Sequence, residues 1–283
     1  MAGAFSVEID HCRELALLPG SVFEFTSRYI PVEKQDALLA LYALMQAIGS
    51  IPQNTSDDAV KLAKLKWWGE ELLAEPDAPS RHPVLRALWV SGVREQLANT
   101  LLLRLVTDAL SQIDTIPDSD EHAMFERHSA LGATGILLEL ALDQGHADDK
   151  DLELFGAATS TYRLVSGFAV NRVSAVSLLP LSQLAKFNVS VEQLEQNTNT
   201  AELAKIIQQL AETAIRWFSK ARSGLDIRSK QAVSPHLNLR WAMEERRLKA
   251  IRDDASGFLK AGKVFGPADA WFAWRFVRKM KQS

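Results

Sequence analysis

The sequence predicts an all-α protein. Apolar residues recur at helical spacing in nearly every segment, and no alternating run is long enough to make a strand. Proline and glycine breaks such as Pro19-Gly20 and Pro76, Pro79 and Pro83 fall between the periodic segments. No repeat of about 20–50 residues recurs, which excludes a helical solenoid, and no low-complexity linker separates two halves. A single domain over residues 1–283 is expected.

A short N-terminal helix precedes Pro19-Gly20, and a brief one from Ser21 ends before Pro31. The next, Val32 to Gly49, is apolar almost all round: Leu38, Leu41, Met45 and Ile48 form one stripe, and Leu39, Tyr42, Ala43 and Leu44 fill much of the rest. A helix apolar on most faces is buried among others. Ser56 followed by Asp57 and Asp58 marks another N-terminus, an acceptor side chain with acids at the positive end of the dipole. That helix carries Leu62, Leu65, Trp68 and Leu72 inward. A short helix is expected over Val84–Val90, then one over 95–113 with Leu101, Leu105 and Leu110 inward.

From Ser119 to about Asp143 the stripe is Leu131, Gly135, Leu138 and Leu142, and Ala130, Gly132 and Ala133 allow close helix approach. Residues 150–170 follow with Phe155, Ala158, Tyr162, Val165 and Ala169 inward. Leu179-Pro180-Leu181 is a break. A helix over 200–222 buries Leu203, Ile206, Leu210 and Ala214, and Gly224 to Pro235 reads as a polar loop. His236 to Lys260 and Ala268 to Lys281 complete the chain as helices.

Composition bounds the function classes. Hydrophobic residues make up 47% and charged residues 24%, with a formal net charge of -3, which gives no reason to expect a nucleic-acid partner. Cys12 stands alone, so a disulfide framework and a cysteine metal site are both excluded. No apolar run reaches the ~18 residues of a spanning helix, and the acidic start MAGAFSVEIDH is not a secretory signal. A cytoplasmic location is expected.

Four segments carry a family likeness: Phe23-x-Phe25 with Ser27-Arg28-Tyr29-Ile30-Pro31, then Ala37 to Leu44, Leu65 to Leu72, and His82-Pro83-Val84 with Ala87-Leu88. Together they resemble the squalene/phytoene synthase family, whose members join two isoprenoid diphosphates head to head. The resemblance implies an isoprenoid synthase-like helical bundle around a central apolar cavity, with Phe23, Tyr42, Met45 and Tyr162 as candidate lining residues. It also implies two Asp-rich motifs that hold Mg²⁺ against the diphosphate. Magnesium wants oxygen ligands in near-octahedral geometry, and carboxylates four apart on a helix share one face. Carried onto this chain, the first motif falls on Gly49, Ser50 and Gln53, the Arg before it on Gln46, and an earlier Arg on Gln35. The second falls near Ser166, Gly167 and Asn171, and no Asp or Glu lies between Glu153 and Glu192. The scaffold is present without its metal ligands, so no cofactor is expected. Asp restored at Gly49 and Gln53 would place charge inside the bundle.

Other residues have structural readings. Glu139 and Asp143, one turn apart, either share a metal or form the polar edge of their helix. Asp57 and Asp58 cap a helix, and Asp148, Asp149 and Asp151 form a solvent-facing acidic turn. His122 and His128 are too far apart for one helical face. Trp67 and Trp68 either pack or line a cavity. The C-terminal segment interleaves Trp271, Phe272, Trp274 and Phe276 with Arg275, Arg278, Lys279 and Lys281, so residues 268–281 either contact a membrane surface or pack on the bundle.

Two functions remain open. One is a non-catalytic isoprenoid- or lipid-binding or assembly factor, because the chain also resembles the branch that includes the mitochondrial complex I assembly factor of squalene/phytoene synthase type. The other is an active head-to-head prenyltransferase using Mg²⁺ at a variant site.

Overall fold

The computed structural model describes residues 5–74, 80–113, 117–145, 147–169, 175, 178–196, 200–228, 233–261, 265–280 and 282. Every regular element among them is a helix. Two compact units divide the chain. One comprises Met1–Asp114, Thr134–His146 and Val233–Leu237, and the other Thr115–Ala133, Ala147–Ala232 and Asn238–Ser283.

The first unit is built on α3 (Val32–Gly49), against which α1 (Phe5–Ala16), α6 (Pro83–Val90) and α8 (Asn99–Leu110) pack. Seven successive side chains of α3, Leu38 to Leu44, are buried, as its all-round apolar character requires. The short α2 (Val22–Ser27) starts where Gly20 turns the chain at φ +76°. Ser21 Oγ accepts the Glu24 N–H at 3.0 Å, and the Glu24 carboxylate accepts the Gly20 N–H at 2.6 Å, so two free donors at the helix start are satisfied.

Beyond α3 come α4 (Ile51–Asn54) and α5 (Asp58–Leu73). The cap of α5 is Asp57, one residue after the expected Ser56, and it accepts from Ala59 N at 2.8 Å and Val60 N at 3.3 Å. Leu65, Trp68 and Leu72 are buried as expected, but Leu62 is exposed. It lies in the second turn of α5 (Asp58–Leu73), ahead of the buried Leu65, Trp68 and Leu72. After α6 and α7 (Val93–Gln96), helix α8 buries Leu102, Val106 and Ala109, while Leu110 is exposed and Leu101 and Leu105 are half-buried. With leucine at 101, 102, 103 and 105, several stripes fit the sequence, and packing against α3 and α5 selects one.

In the second unit, α10 (Asp149–Gly167) packs along α13 (Thr200–Arg228). Between them in sequence lie α11 (Leu181–Lys186) and α12 (Val191–Glu195). Phe155 stacks on Trp241 with ring centres 3.7 Å apart, and both rings are fully buried. The unit also takes the first half of α9 (Glu121–Leu142), where Gly132 permits the close approach expected of it. A Cβ on Gly132 would overlap the Gly156 backbone of α10.

Two expectations change in this unit. Residues 224–228 are helical and belong to α13, so the polar stretch begins later than composition suggests. Asp151 is buried, where a solvent-facing turn was expected; its carboxylate lies where a Cβ on Gly224 would collide with it. Asp148 and Asp149 are exposed as expected, and Asp148 accepts the Lys150 N–H at 3.1 Å to cap α10. The unit ends with α14 (Pro235–Asp253, whose first turn belongs to the other unit), α15 (Ala255–Ala261) and α16 (Pro267–Met280).

Candidate functional site

The positions of the first acidic motif lie where α3 stops. Ser50 N bonds to Gln46 O at 3.1 Å, but Gln53 N and Asn54 N both bond back to Ser50 O, at 3.2 and 2.9 Å. Pro52 causes the break, because it has no N–H to offer the preceding turn and its ring displaces that turn's carbonyl. The interruption is confined to Ser50, whose backbone stays right-handed at φ −83° and ψ −14°. Gly49 and Gln53 are exposed, Gly49 has open space where a Cβ would stand, and Gln46 and Ser50 are half-buried. Gln35, the earlier Arg position, donates to Ile30 O at 3.2 Å.

Ser50 borders a groove of about 820 Å³ in the same unit, walled by α1, the end of α3 and α5. Two motifs distant in sequence meet there: Trp67 and Trp68 of α5, and His82 at the start of α6. The His82 ring lies edge-on to Trp68 with centres 4.8 Å apart, and 5.6 Å from Trp67. His82 is itself a helix cap, its Nδ1 accepting the Val84 N–H at 3.3 Å. An accepting Nδ1 leaves the ring proton on Nε2. Burial, and then the nearby His11, hold the His82 pKa below the ordinary histidine range against an opposing pull from Glu71. Of the two readings of Trp67 and Trp68, the structure supports both at once: Trp68 is core, Trp67 is 39% exposed, and both line the groove.

The core of the first unit also contains a buried polar chain. Tyr42 Oη donates to Glu139 Oε2 at 2.7 Å, His236 Nδ1 lies 2.6 Å from Glu139 Oε1, and His236 Nε2 lies 3.1 Å from Thr26 Oγ1. An ionised carboxylate only accepts, so His236 Nδ1 carries a proton. Phe23 stacks on Tyr42 with ring centres 3.5 Å apart and closes one side. Glu139 is thus neither a metal ligand shared with Asp143 nor a polar helix edge. It has no solvent exposure, whereas Asp143 pairs with Lys34. Met45, the third candidate lining residue of this unit, is half-buried, with its Sδ 3.5 Å from where a Cβ on Gly135 would stand.

In the second unit Ser166 and Gly167 form the half-buried last turn of α10, and Asn171 lies outside the described residues. Tyr162 is buried, which pushes its phenol above the ordinary range, with Arg247 and Ser166 opposing. One turn earlier, Thr159 Oγ1 donates to the buried Glu244 at 2.8 Å. His128 Nδ1 lies 2.9 Å from Ser160 Oγ. Burial, aided by Arg127 and Arg163, lowers the His128 pKa to about 3, so this ring is neutral.

Comparison with known proteins fits this architecture. The sequence model of the family described as squalene/phytoene synthase matches residues 19–265. The chain belongs to the squalene/phytoene synthase family. Among solved structures it is similar to a dehydrosqualene synthase in complex with ligand, at 14% identity and TM-score 0.76, with 99% of each chain covered. It is also similar to the squalene synthase HpnC from Alicyclobacillus acidocaldarius, at 18% identity and TM-score 0.65, covering 88% of this chain and 95% of that one. These likenesses establish the all-α isoprenoid synthase-like fold. A search of curated proteins finds no match.

The Mg²⁺ site implied by squalene/phytoene synthase chemistry does not fit the residues present. The described positions offer glycine, serine and glutamine, which supply no charge to balance a divalent cation. Among the described residues, no three His, Cys, Asp or Glu side chains gather as a metal would need. Sequence reasoning missed His236, the buried setting of Glu139, and Glu244. A carboxylate flanked by Leu138 and Leu140 in an apolar helix was the available signal for Glu139.

Proposed function

We propose that this member of the squalene/phytoene synthase family does not transfer prenyl groups and instead uses its helical body to bind an isoprenoid or other lipid chain, or to assist assembly of a protein complex. The observation that carries this is the state of the first motif. Its acidic positions are Gly49, Ser50 and Gln53 and the adjacent Arg position is Gln46, all of them uncharged. Diphosphate departure needs its charge neutralised as the bond breaks, and neutral side chains supply no charge to hold the cation that would do so. The groove beside Trp67 and Trp68 supports the binding half of the reading. Its volume of about 820 Å³ suits one small ligand, and Leu15, Ala47, Ile51 and Val60 give it an apolar floor.

Incubation of the purified protein with farnesyl or geranylgeranyl diphosphate and Mg²⁺, read by pyrophosphate release, tests the catalytic half. No release above the protein-free rate is expected, and Mg²⁺-dependent release at enzymatic rates would establish the alternative, a prenyltransferase with a rebuilt metal site. Organic extraction followed by mass spectrometry tests the binding half. A co-purifying isoprenoid or acyl lipid, displaced in a Trp67→Ala variant, is the expected result.

A further inference from the structure

The last helix divides its residues sharply. On its inner side Ala273 is fully buried, Phe272 and Phe276 are half-buried, and the Arg246 guanidinium lies 5.0 Å over the Phe272 ring. Asp269, the helix's one acid, also faces this way. It bonds to Arg246 at 2.7 Å and accepts the Gly266 N–H at 3.0 Å. On the outer side stand Trp271, 59% exposed, and Trp274, 50% exposed, with Arg275, Arg278 and Lys279 around them. Each indole carries a guanidinium: Arg275 lies 4.6 Å from the Trp271 ring and Arg278 lies 5.3 Å from that of Trp274.

We propose that this outer side of α16 is a docking surface for an anionic phospholipid bilayer, with the two indoles at the headgroup boundary and the three cations on lipid phosphates. Single exposed apolar residues are ordinary. Here two tryptophans three apart share one side with three cations and no carboxylate, in a chain whose net charge is -3. Indoles favour the bilayer interface because they are apolar bodies with one polar N–H. Cations near an anionic leaflet add to that attraction. At 14 residues the helix is too short to span a bilayer, so it would lie along the surface. A second copy of this chain is a poor occupant, since a two-fold contact would face like charges against each other. This surface shares no residue with the groove and is independent of whether the protein is catalytic.

Flotation with vesicles of phosphatidylcholine alone, and with a third of that lipid replaced by phosphatidylglycerol, tests the proposal. The wild-type protein is expected to float with the anionic vesicles only, and added salt should release it. The W271A/W274A variant should bind at least tenfold more weakly, and removal of each cation in R275A, R278A and K279A should weaken binding roughly fivefold. Both tryptophans are exposed, so an unchanged circular dichroism spectrum and urea midpoint would confirm that the variants fold. Absence of wild-type binding to anionic vesicles, equal binding to both vesicle types, or retained binding by W271A/W274A would each overturn the proposal. The first of these would leave an acidic protein surface as the occupant to pursue.

Discussion

His128 and Glu139 are both buried polar residues, each with its own hydrogen-bond partners. His128 is held neutral: its pKa is about 3 in the fold, against about 6.5 in an unfolded chain. Between those values the unfolded state binds the extra proton, so stability is full above pH 6.5 and falls as pH drops toward 3. Urea unfolding at pH 7.5 and 5.5 should show wild-type losing about 1.4 kcal/mol more than H128Q across that interval. Glu139 instead serves as the shared acceptor for Tyr42 and His236. Its removal in E139A leaves two buried donors without their partner, at a cost of about 3 kcal/mol by chemical denaturation. E139Q keeps one carbonyl acceptor and should lose less. Cys12 completes this set: burial pushes its thiol up to about 12, so a thiol reagent should label it only as the protein unfolds.

Helices here are positioned by small residues and breaks as much as by apolar stripes. Gly132 and Gly156 let α9 and α10 meet backbone to backbone. Reciprocally, a Cβ on Gly156 would stand 2.6 Å from Ser129 O and 2.8 Å from Ala133 N. Neither backbone can rotate out of the way as a side chain might. G132A should therefore destabilise by about 3 kcal/mol or more, the upper end of overpacking costs, measured as a lowered urea midpoint. Pro52 acts in the opposite sense, by ending a helix. Its effect could be read in the sequence only once α3 was placed in register with the acidic motif.

For the whole molecule, the squalene/phytoene synthase body is present, while the positions that would grip magnesium are neutral. Gly49 and Gln53 prove to be exposed, where charge inside the bundle was expected. Acids at those positions should consequently be tolerated: G49D/Q53D should stay within about 1 kcal/mol of wild-type stability, as surface substitutions do. It should still release no pyrophosphate from farnesyl diphosphate and Mg²⁺, because the second motif, near Ser166 and Gly167, still lacks carboxylates. Mg²⁺-dependent release by this variant would mean that missing charge at the first motif alone silenced the site. Among the described residues no helix is long and apolar enough to cross a membrane, and the contact proposed for α16 is a surface one.

Helical periodicity and proline spacing alone specify an all-α chain and place α3 over Val32–Gly49, since these depend on bonds and side chains within about a turn of each other, whereas the missing acids emerge only through the family resemblance. Which stripe of α8 turns inward, whether Glu139 and Asp151 meet water, how His82 reaches Trp68, and which way Trp271 and Trp274 point depend on partners far along the chain. Burial is a property of the covering helix as much as of the residue covered, and only the tertiary packing supplies that cover.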